Sequence, residues 1–231
     1  MNPVKKPKHM TKLFITDDGS HSLMSDMFGV AYHSTHGAIR ETQHVFIAAG
    51  LHYCVEKGAT ELTILDIGFG TGLNALMTFE EAKRLNIKIN YHAFEKYPLS
   101  ILQVEALNYA QMLHISPTHF LNMHRCPFGE AIVISEQFIF TKTQCDFSEI
   151  DIDNRADIVY FDAFDPQTQP ELWSETLFSR MYKALKPEGI LTTYCAKGSV
   201  KRALKAVGFE LQSLAGPPPK REMTRAIKKI V

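Results

Sequence analysis

Thr63-Ile-Leu-Asp66-Ile-Gly68-Phe-Gly70-Thr-Gly72-Leu-Asn74 is the stretch whose reading decides the fold. A β-branched apolar run ends in an acid and three alternating glycines, and a helix-forming segment follows. That is the pattern of a buried strand delivering a backbone loop to a ligand. Glycine is required where the backbone takes positive φ or lies directly against a ligand, because a Cβ would clash there. The spacing narrows the choice of ligand. A dinucleotide fingerprint has its third glycine where helix and strand pack over a pyrophosphate, and here Leu73 occupies that place. Asp66, ahead of the glycines on the strand, suits an uncharged or cationic ligand better than a diphosphate. Asp66, Gly68, Gly70 and Gly72 are therefore read as a small-molecule loop.

The 231 residues suffice for one large α/β domain and are few for two. An apolar content of 45% and a charged content of 22% fit a soluble globular chain. No apolar run approaches a membrane span, and Met1-Asn-Pro-Val-Lys-Lys-Pro-Lys8 lacks the apolar core of a signal peptide. Cys54, Cys126, Cys145 and Cys195 show no ligand spacing and read as free thiols of a reducing cytoplasm. His33-Ser-Thr-His36, without a nearby Cys or a His-Glu-x-x-His pattern, is not read as a metal site. The net charge is zero but unevenly spread. Residues 130–175 carry eleven acids against Lys142 and Arg155, whereas residues 183–231 carry eleven basic residues against three acids. Such asymmetry gives a neutral protein a basic face able to meet phosphates.

Outward from the glycine stretch, strands and helices alternate. Residues 1–10 read as a loose tail and 11–36 as short strands and turns. A helix is expected over 38–57, with Val45, Ala48, Ala49, His52 and Val55 on its inner face. Strands are expected at 62–67, 87–94 and 157–161, with helices near 71–85 and 99–114. The second of these carries Leu102, Ala106, Leu107 and Ala110 on one face. A hairpin over 130–143 and a helix over 172–186 striped by Trp173, Leu177, Met181 and Leu185 come next. The chain continues with a strand at 190–194, a helix at 199–207 and strands at 208–214 and 223–230. Alternation implies a parallel sheet with right-handed crossovers. Two strands in succession around Gly216-Pro-Pro-Pro219 imply an antiparallel hairpin at one edge. With the Asp-x-Gly-x-Gly-x-Gly loop, this resembles the class I S-adenosyl-L-methionine-dependent methyltransferases, whose Rossmann-like sheet ends in such a hairpin. Residues 1–58 are expected as an α/β extension packed on the core, carrying substrate-side elements, and 59–231 as the methyltransferase domain.

Ligands of an open α/β sheet sit at the C-terminal ends of its strands. Glu95 follows one strand, where a carboxylate accepts both hydroxyl protons of a ribose. Asp146-Phe147 follows the hairpin, and an acid beside a ring suits an adenine amino group and its base. Asp162-Ala-Phe-Asp-Pro166 follows the strand at 157–161. In the class I fold this loop faces the methyl group, so Asp162 is placed to orient an amine and accept its proton. Asp165-Pro166 fits an ordinary turn.

The wording of four stretches is more specific. Asp18-Gly-Ser20 with Tyr32-His-Ser-Thr-His-Gly-Ala-Ile-Arg-Glu41 and His44-Val-Phe46 is the first. Asp66 to Asn74 with Phe94-Glu-Lys-Tyr-Pro98 is the second, and Phe161-Asp-Ala-Phe-Asp-Pro-Gln-Thr-Gln-Pro-Glu-Leu-Trp173 the third. Gly216-Pro-Pro-Pro-Lys-Arg-Glu-Met223 is the last. These resemble the methyltransferase half of the bifunctional enzymes that complete 5-methylaminomethyl-2-thiouridine at the tRNA wobble position. The resemblance runs from about residue 11 to the end and is loosest over residues 105–145. It implies S-adenosyl-L-methionine as cofactor, with contacts from Gly68, Gly70, Asn74, Glu95 and Asp146, and Asp162 as the catalytic acid-base group. It places Tyr32, His33 and Glu41 on the substrate side. With no match to the flavin-dependent oxidase half, a stand-alone methyltransferase is expected. A wobble base lies in the single-stranded anticodon loop and can be splayed onto aromatic rings. Tyr32 and Phe164 are candidates, while Trp173, on an apolar stripe, belongs to the core. Lys220 and Arg221 beside the proline turn are candidates for backbone phosphates. Two other readings remain open: methylation of a different RNA or a small amine, and a non-catalytic nucleotide-binding module on the same fold.

Overall fold

An antiparallel meander of β1 (Thr11–Ile15), β2 (His21–Ser25) and β3 (Val30–Ala31) comes first in the computed structural model, which describes residues 11–25 and 27–230. The tail read over residues 1–10 lies outside the described residues. Asp18 ties the meander to the helix that starts at Ala38. One carboxylate oxygen accepts from the N–H and hydroxyl of Ser20, and the other accepts from the N–H of Arg40. Burial works against this carboxylate, but those donors outweigh it and hold the group below its ordinary range.

A continuous helix covers residues 38–56, as expected, but its face differs. Between Gln43 and His52 the backbone is π-helical, with i→i+5 hydrogen bonds. The wider turn rotates the inner face away from a 3.6-residue stripe. Val45 is buried as expected, now with Phe46, Ile47, Gly50 and Leu51, while Ala48 is exposed and His52 half-buried. Phe46 packs on Tyr160 at 5.1 Å between ring centroids.

The remaining strands are β4 (Glu61–Ile67), β5 (Lys88–Glu95), β6 (Ala131–Ser135), β7 (Phe138–Gln144), β8 (Ala156–Phe161), β9 (Leu185–Thr193), β10 (Phe209–Ala215) and β11 (Glu222–Lys228). They form one sheet in the order β10-β11-β9-β8-β4-β5-β7-β6. The five from β7 to β9 are mutually parallel. The C-terminal hairpin lies at one edge, with β11 antiparallel between β9 and β10, and β6 runs antiparallel at the other edge. The mostly parallel α/β sheet with its antiparallel C-terminal hairpin is therefore present. Strand β4 is buried on both faces, with Leu62 and Ile64 in one apolar cluster and Leu65 and Ile67 in another. The N-terminal segment shares a third cluster, in which Leu23, Ala38 and Ile47 pack with Leu73, Leu76 and Met77.

Helix Leu73–Leu85 follows β4. The single helix expected over 99–114 is instead two short ones, Ile101–Glu105 and Tyr109–Met112. Asn108 interrupts it because its side chain is committed elsewhere, accepting from the His21 N–H (2.7 Å) and donating to the Gly19 carbonyl (2.9 Å). Leu107 and Ala110 are buried, whereas Leu102 is 80% exposed, so the expected stripe does not form. Helix Pro117–Arg125 was not anticipated, although Ser116 at its N-cap and Pro117 at its first position signal it. The helix expected over 172–186 is a 3-10 turn, Pro170–Trp173, followed by Glu175–Ala184 capped by the Ser174 hydroxyl. Its predicted stripe, Trp173, Leu177, Met181 and Leu185, is buried throughout. Helix Gly198–Val207 completes the set.

Candidate active site

The parallel strands end side by side, and their loops line a cleft open on one side. One half is built by the glycine loop. Gly68 has φ +101°, and a Cβ there would lie 2.7 Å from the Asp162 carbonyl oxygen, so the loop can lie on the end of β8 only as glycine. Gly70, at φ +49°, faces the Tyr32 ring in the same way. Its N–H donates to Glu95 Oε2 (2.8 Å), and the Tyr97 N–H donates to Oε1 (2.7 Å). Glu95 is thus fixed with both oxygens at the cleft wall. Burial raises its carboxyl, and the backbone donors from Tyr97 and Gly70 only partly offset this.

At the outer end Asp146 Oδ2 accepts from Lys96 Nζ at 2.6 Å, and Oδ1 accepts from the N–H and hydroxyl of Ser148. The Lys96 bond, followed by Ser148, holds the Asp146 carboxyl well below its ordinary range. Phe147, beside it, is buried and also lines the cleft. Asp66 and Gly72 are set back from the wall. Asp66 is sealed beneath the loop, where Oδ2 accepts from the Tyr91 hydroxyl at 2.8 Å and the Asn74 amide favours its charge. Burial raises its carboxyl well above the usual range. Gly72 is the N-cap of helix Leu73–Leu85.

The other half of the cleft centres on Asp162. Its N–H continues the β8–β4 ladder to the Ile67 carbonyl, and its Oδ2 accepts from Asn74 Nδ2 at 2.9 Å. The Thr42 hydroxyl in turn donates to Asn74 Oδ1 at 3.0 Å. Burial, reinforced by the charge of Glu41, pushes the Asp162 carboxyl up to about 7; Asn74 and Lys220 pull the other way. The loop after Asp162 is pinned at both carbonyls. Tyr194 Oη donates to Ala163 O (2.9 Å), and Trp173 Nε1 donates to Phe164 O (2.7 Å). Asp165 plays the turn role expected of it, accepting from the Gln167 N–H and from Lys197. Phe164 therefore presents its ring to Tyr32 and Phe28, each at 5.1 Å. Trp173, 6% exposed, is core.

His33 is in the same wall, its Nδ1 3.1 Å from the Ser22 hydroxyl and its Nε2 3.4 Å from that of Thr71. Burial pushes its pKa down to about 4, so the ring is neutral at physiological pH. Its sequence neighbour His36 points elsewhere, 2.9 Å from Asp17. Among the described residues no three metal-ligating side chains converge.

Glu41 and Lys220 meet behind Asp162. Lys220 Nζ donates to Glu41 Oε1 at 2.6 Å and lies 4.0 Å above the Tyr194 ring, while the Ser34 N–H donates to Glu41 Oε2. Burial opposes the Glu41 charge, but Lys220 and Ser34 overcome it and keep the carboxyl below its ordinary range. Lys220 is thus turned inward, whereas Arg221 is exposed. Phe28, Thr42, Lys96, Tyr97 and Tyr194 belong to this site and were not singled out from sequence. Lys96 and Tyr97 follow Glu95 directly, a local cue. Phe28, Thr42 and Tyr194 carry no motif; tertiary packing brings Phe28 into the cleft lining and sets Thr42 and Tyr194 against Asn74 and Ala163.

These residues fit S-adenosyl-L-methionine. Gly68 and Gly70 line the cleft, Glu95 offers paired acceptors, and carboxylates and aromatic rings suit a sulfonium cation. Residues 94–229 match the profile of a family described as S-adenosyl-L-methionine-dependent methyltransferase. A tRNA 5-methylaminomethyl-2-thiouridine biosynthesis bifunctional protein, MnmC, from Idiomarina loihiensis is 33% identical over 221 residues, covering 87% of this chain and 36% of the relative. The protein of the same name from Aromatoleum aromaticum is 30% identical over 95% of this chain and 36% of its own length. The chain thus spans about a third of the length of these curated relatives. The crystal structure of MNMC2 from Aquifex aeolicus superposes with a TM-score of 0.78 at 26% identity, over 100% of this chain and 73% of that one. Fold, cleft and profile agree: the chain belongs to the S-adenosyl-L-methionine-dependent methyltransferase family.

Proposed function

We propose that the protein methylates the amine of 5-aminomethyl-2-thiouridine at the wobble position of tRNA, giving 5-methylaminomethyl-2-thiouridine. The observation that carries this reading is Asp162, a carboxylate held near neutrality at the floor of an aromatic pocket formed by Phe28, Tyr32 and Phe164. The naming of the bifunctional relatives supports the substrate. Amine methylation needs a free nitrogen lone pair, and an alkylamine is mostly protonated at neutral pH. A base whose pKa lies near the working pH is suited to accept that proton. When bound, the cofactor supplies an electrophilic methyl group on a sulfonium. The chain's own residues supply the rest.

On this reading Gly68, Gly70, Asn74, Glu95, Asp146 and Phe147 hold the cofactor, with Glu95 taking the ribose hydroxyls and Asp146 the adenine end. Tyr32 and Phe164 stack the extruded base, and His33 and Glu41 shape the acceptor side. Asp162 would orient the amine and take the ammonium proton first, freeing the lone pair that would accept the methyl group. Arg221 meets an anticodon-loop phosphate, with the reaction in the cytoplasm where tRNA is modified. Asp66 and Gly72 act from beneath the loop by supporting it.

The direct test is nucleoside mass spectrometry of tRNA bearing 5-aminomethyl-2-thiouridine after incubation with the protein and S-adenosyl-L-methionine. A one-methyl gain confined to that nucleoside is expected. No gain, together with methylation of a free small amine, would refute the tRNA assignment.

A further inference from the structure

Both ends of the Asn74 amide are occupied. Nδ2 donates to the Asp162 carboxylate at 2.9 Å, and Oδ1 accepts from the Thr42 hydroxyl at 3.0 Å. Thr42 is 1% exposed and Asn74 4%, so neither bond is readily replaced by solvent. A helical threonine commonly returns its hydroxyl to the carbonyl one turn back; here the hydroxyl crosses to the neighbouring helix. An amide has a donor end and an acceptor end of nearly equal size, so its partners choose between them: Asp162 and Asp66, whose charges Asn74 favours, on one side and the Thr42 hydroxyl on the other.

We propose that Thr42 is a positioning residue for methyl transfer: by donating to Asn74 Oδ1 it locks the amide with Nδ2, rather than Oδ1, against the Asp162 carboxylate. This deepens the reading of Asp162 as the base and rests on it for its catalytic consequence. Asn74 is the side-chain donor to Asp162 among the described residues. The other groups facing Asp162 are Glu41 from the helix over 38–56, Asp66 from β4, Tyr91 from β5, Lys220 from the proline turn and Tyr194 after β9. Glu41 disfavours the Asp162 charge and Lys220 favours it. A reversed amide would replace a donor with an acceptor. The ionised carboxylate would lose its partner, and the protonated form would gain one.

The test compares Thr42→Val, which keeps shape and removes the donor, with Thr42→Ser, which keeps the hydroxyl. Carbon NMR of carboxyl-labelled aspartates, with Asp162→Asn assigning the resonance, follows the Asp162 titration directly in the full chain. In Thr42→Val that titration should move up by about one pH unit, corresponding to loss of a charge-assisted hydrogen bond, and Thr42→Ser should restore it. The rising limb of the tRNA methylation rate should move with it. If Val proves too destabilising, Thr42→Ala serves in the same comparison. An unmoved Asp162 titration, or an equal shift in Thr42→Ser, overturns the proposal. A moved titration with an unmoved rate limb refutes Asp162 as the base and with it the role of Thr42 in methyl transfer, leaving only the orientation of the amide.

Discussion

The two halves of the cleft are built on opposite plans. The half proposed to hold the cofactor closes over shorter spans: Gly70 and Glu95 are 25 residues apart and Lys96 and Asp146 are 50 apart, and each of these carboxylates has a fixed donor. The acceptor half is long-range. Glu41 and Lys220 are 179 residues apart, and Asn74 and Asp162 are 88 apart. The electrostatics divide likewise. Asp146 is held below its ordinary range by Lys96 and Ser148, as suits a permanent charge that binds, whereas Asp162 is raised to about 7, as suits a group that exchanges a proton.

Removing the acceptor carboxylate should give the largest effect. Asp162→Asn should lower tRNA methylation by about 100-fold or more, with calorimetry showing near-normal S-adenosylhomocysteine binding. Residual activity should rise with pH as free amine accumulates, and near-normal turnover at neutral pH would erase the distinction between the halves. Glu95→Ala should do the converse, weakening S-adenosylhomocysteine binding by roughly 1–3 kcal/mol through loss of paired acceptors. Unchanged affinity in the same calorimetric assay would remove Glu95 from the cofactor half.

Lys220 and Arg221 separate more finely. Lys220→Ala leaves Glu41 without its cation beside Asp162, so the acidic limb of the rate profile should move to higher pH and kcat at pH 7 should fall by about five- to ten-fold. Arg221→Ala should instead raise KM for tRNA and reduce the slope of log affinity against log salt by about one. Identical profiles for the two variants would show that the inward turn of Lys220 has no bearing on the reaction.

The smallest expected effect is on stability. The Asp162 carboxyl titrates near 3.8 when unfolded and near 7 when folded. Between those values the unfolded chain binds fewer protons, so this group removes stability as pH rises from about 4 to about 7. Asp162→Asn should therefore melt above the wild type at pH 8, by about 2–4 °C for each kcal/mol regained, and match it near pH 4. A variant that melts lower at pH 8 would mean that the carboxylate supports the fold rather than straining it.

Legibility followed the same division. Strand, glycine loop and Glu95 are local in sequence, so spacing alone located them. Asp66 shows the limit of spacing: it shares a strand face with Leu62 and Ile64, and that alternation, rather than its place before the glycines, accounts for its position beneath the loop. On the acceptor side, Asp162 was legible from its strand end, but Glu41 came through wording shared with a family. The direction of Lys220 depends on a partner far away in sequence. The π-helical turns defeated a 3.6-residue stripe at Ala48 and His52, and the side-chain bonds of Asn108 broke a helix whose apolar spacing looked continuous. In each case a tertiary partner decided what local preference left open.

Strand β11 pairs with both β9 and β10, so the edge of the sheet cannot close without it. Lys220 stands two residues ahead of that strand and reaches Glu41 as it docks. A nascent chain synthesised at about 5–20 residues per second has Asp162 in place roughly 3–12 s before Lys220 emerges. Translation therefore delivers the closing strand and the cation paired with Glu41 within residues 220–228, and a ribosome that stalls before them leaves a chain with neither.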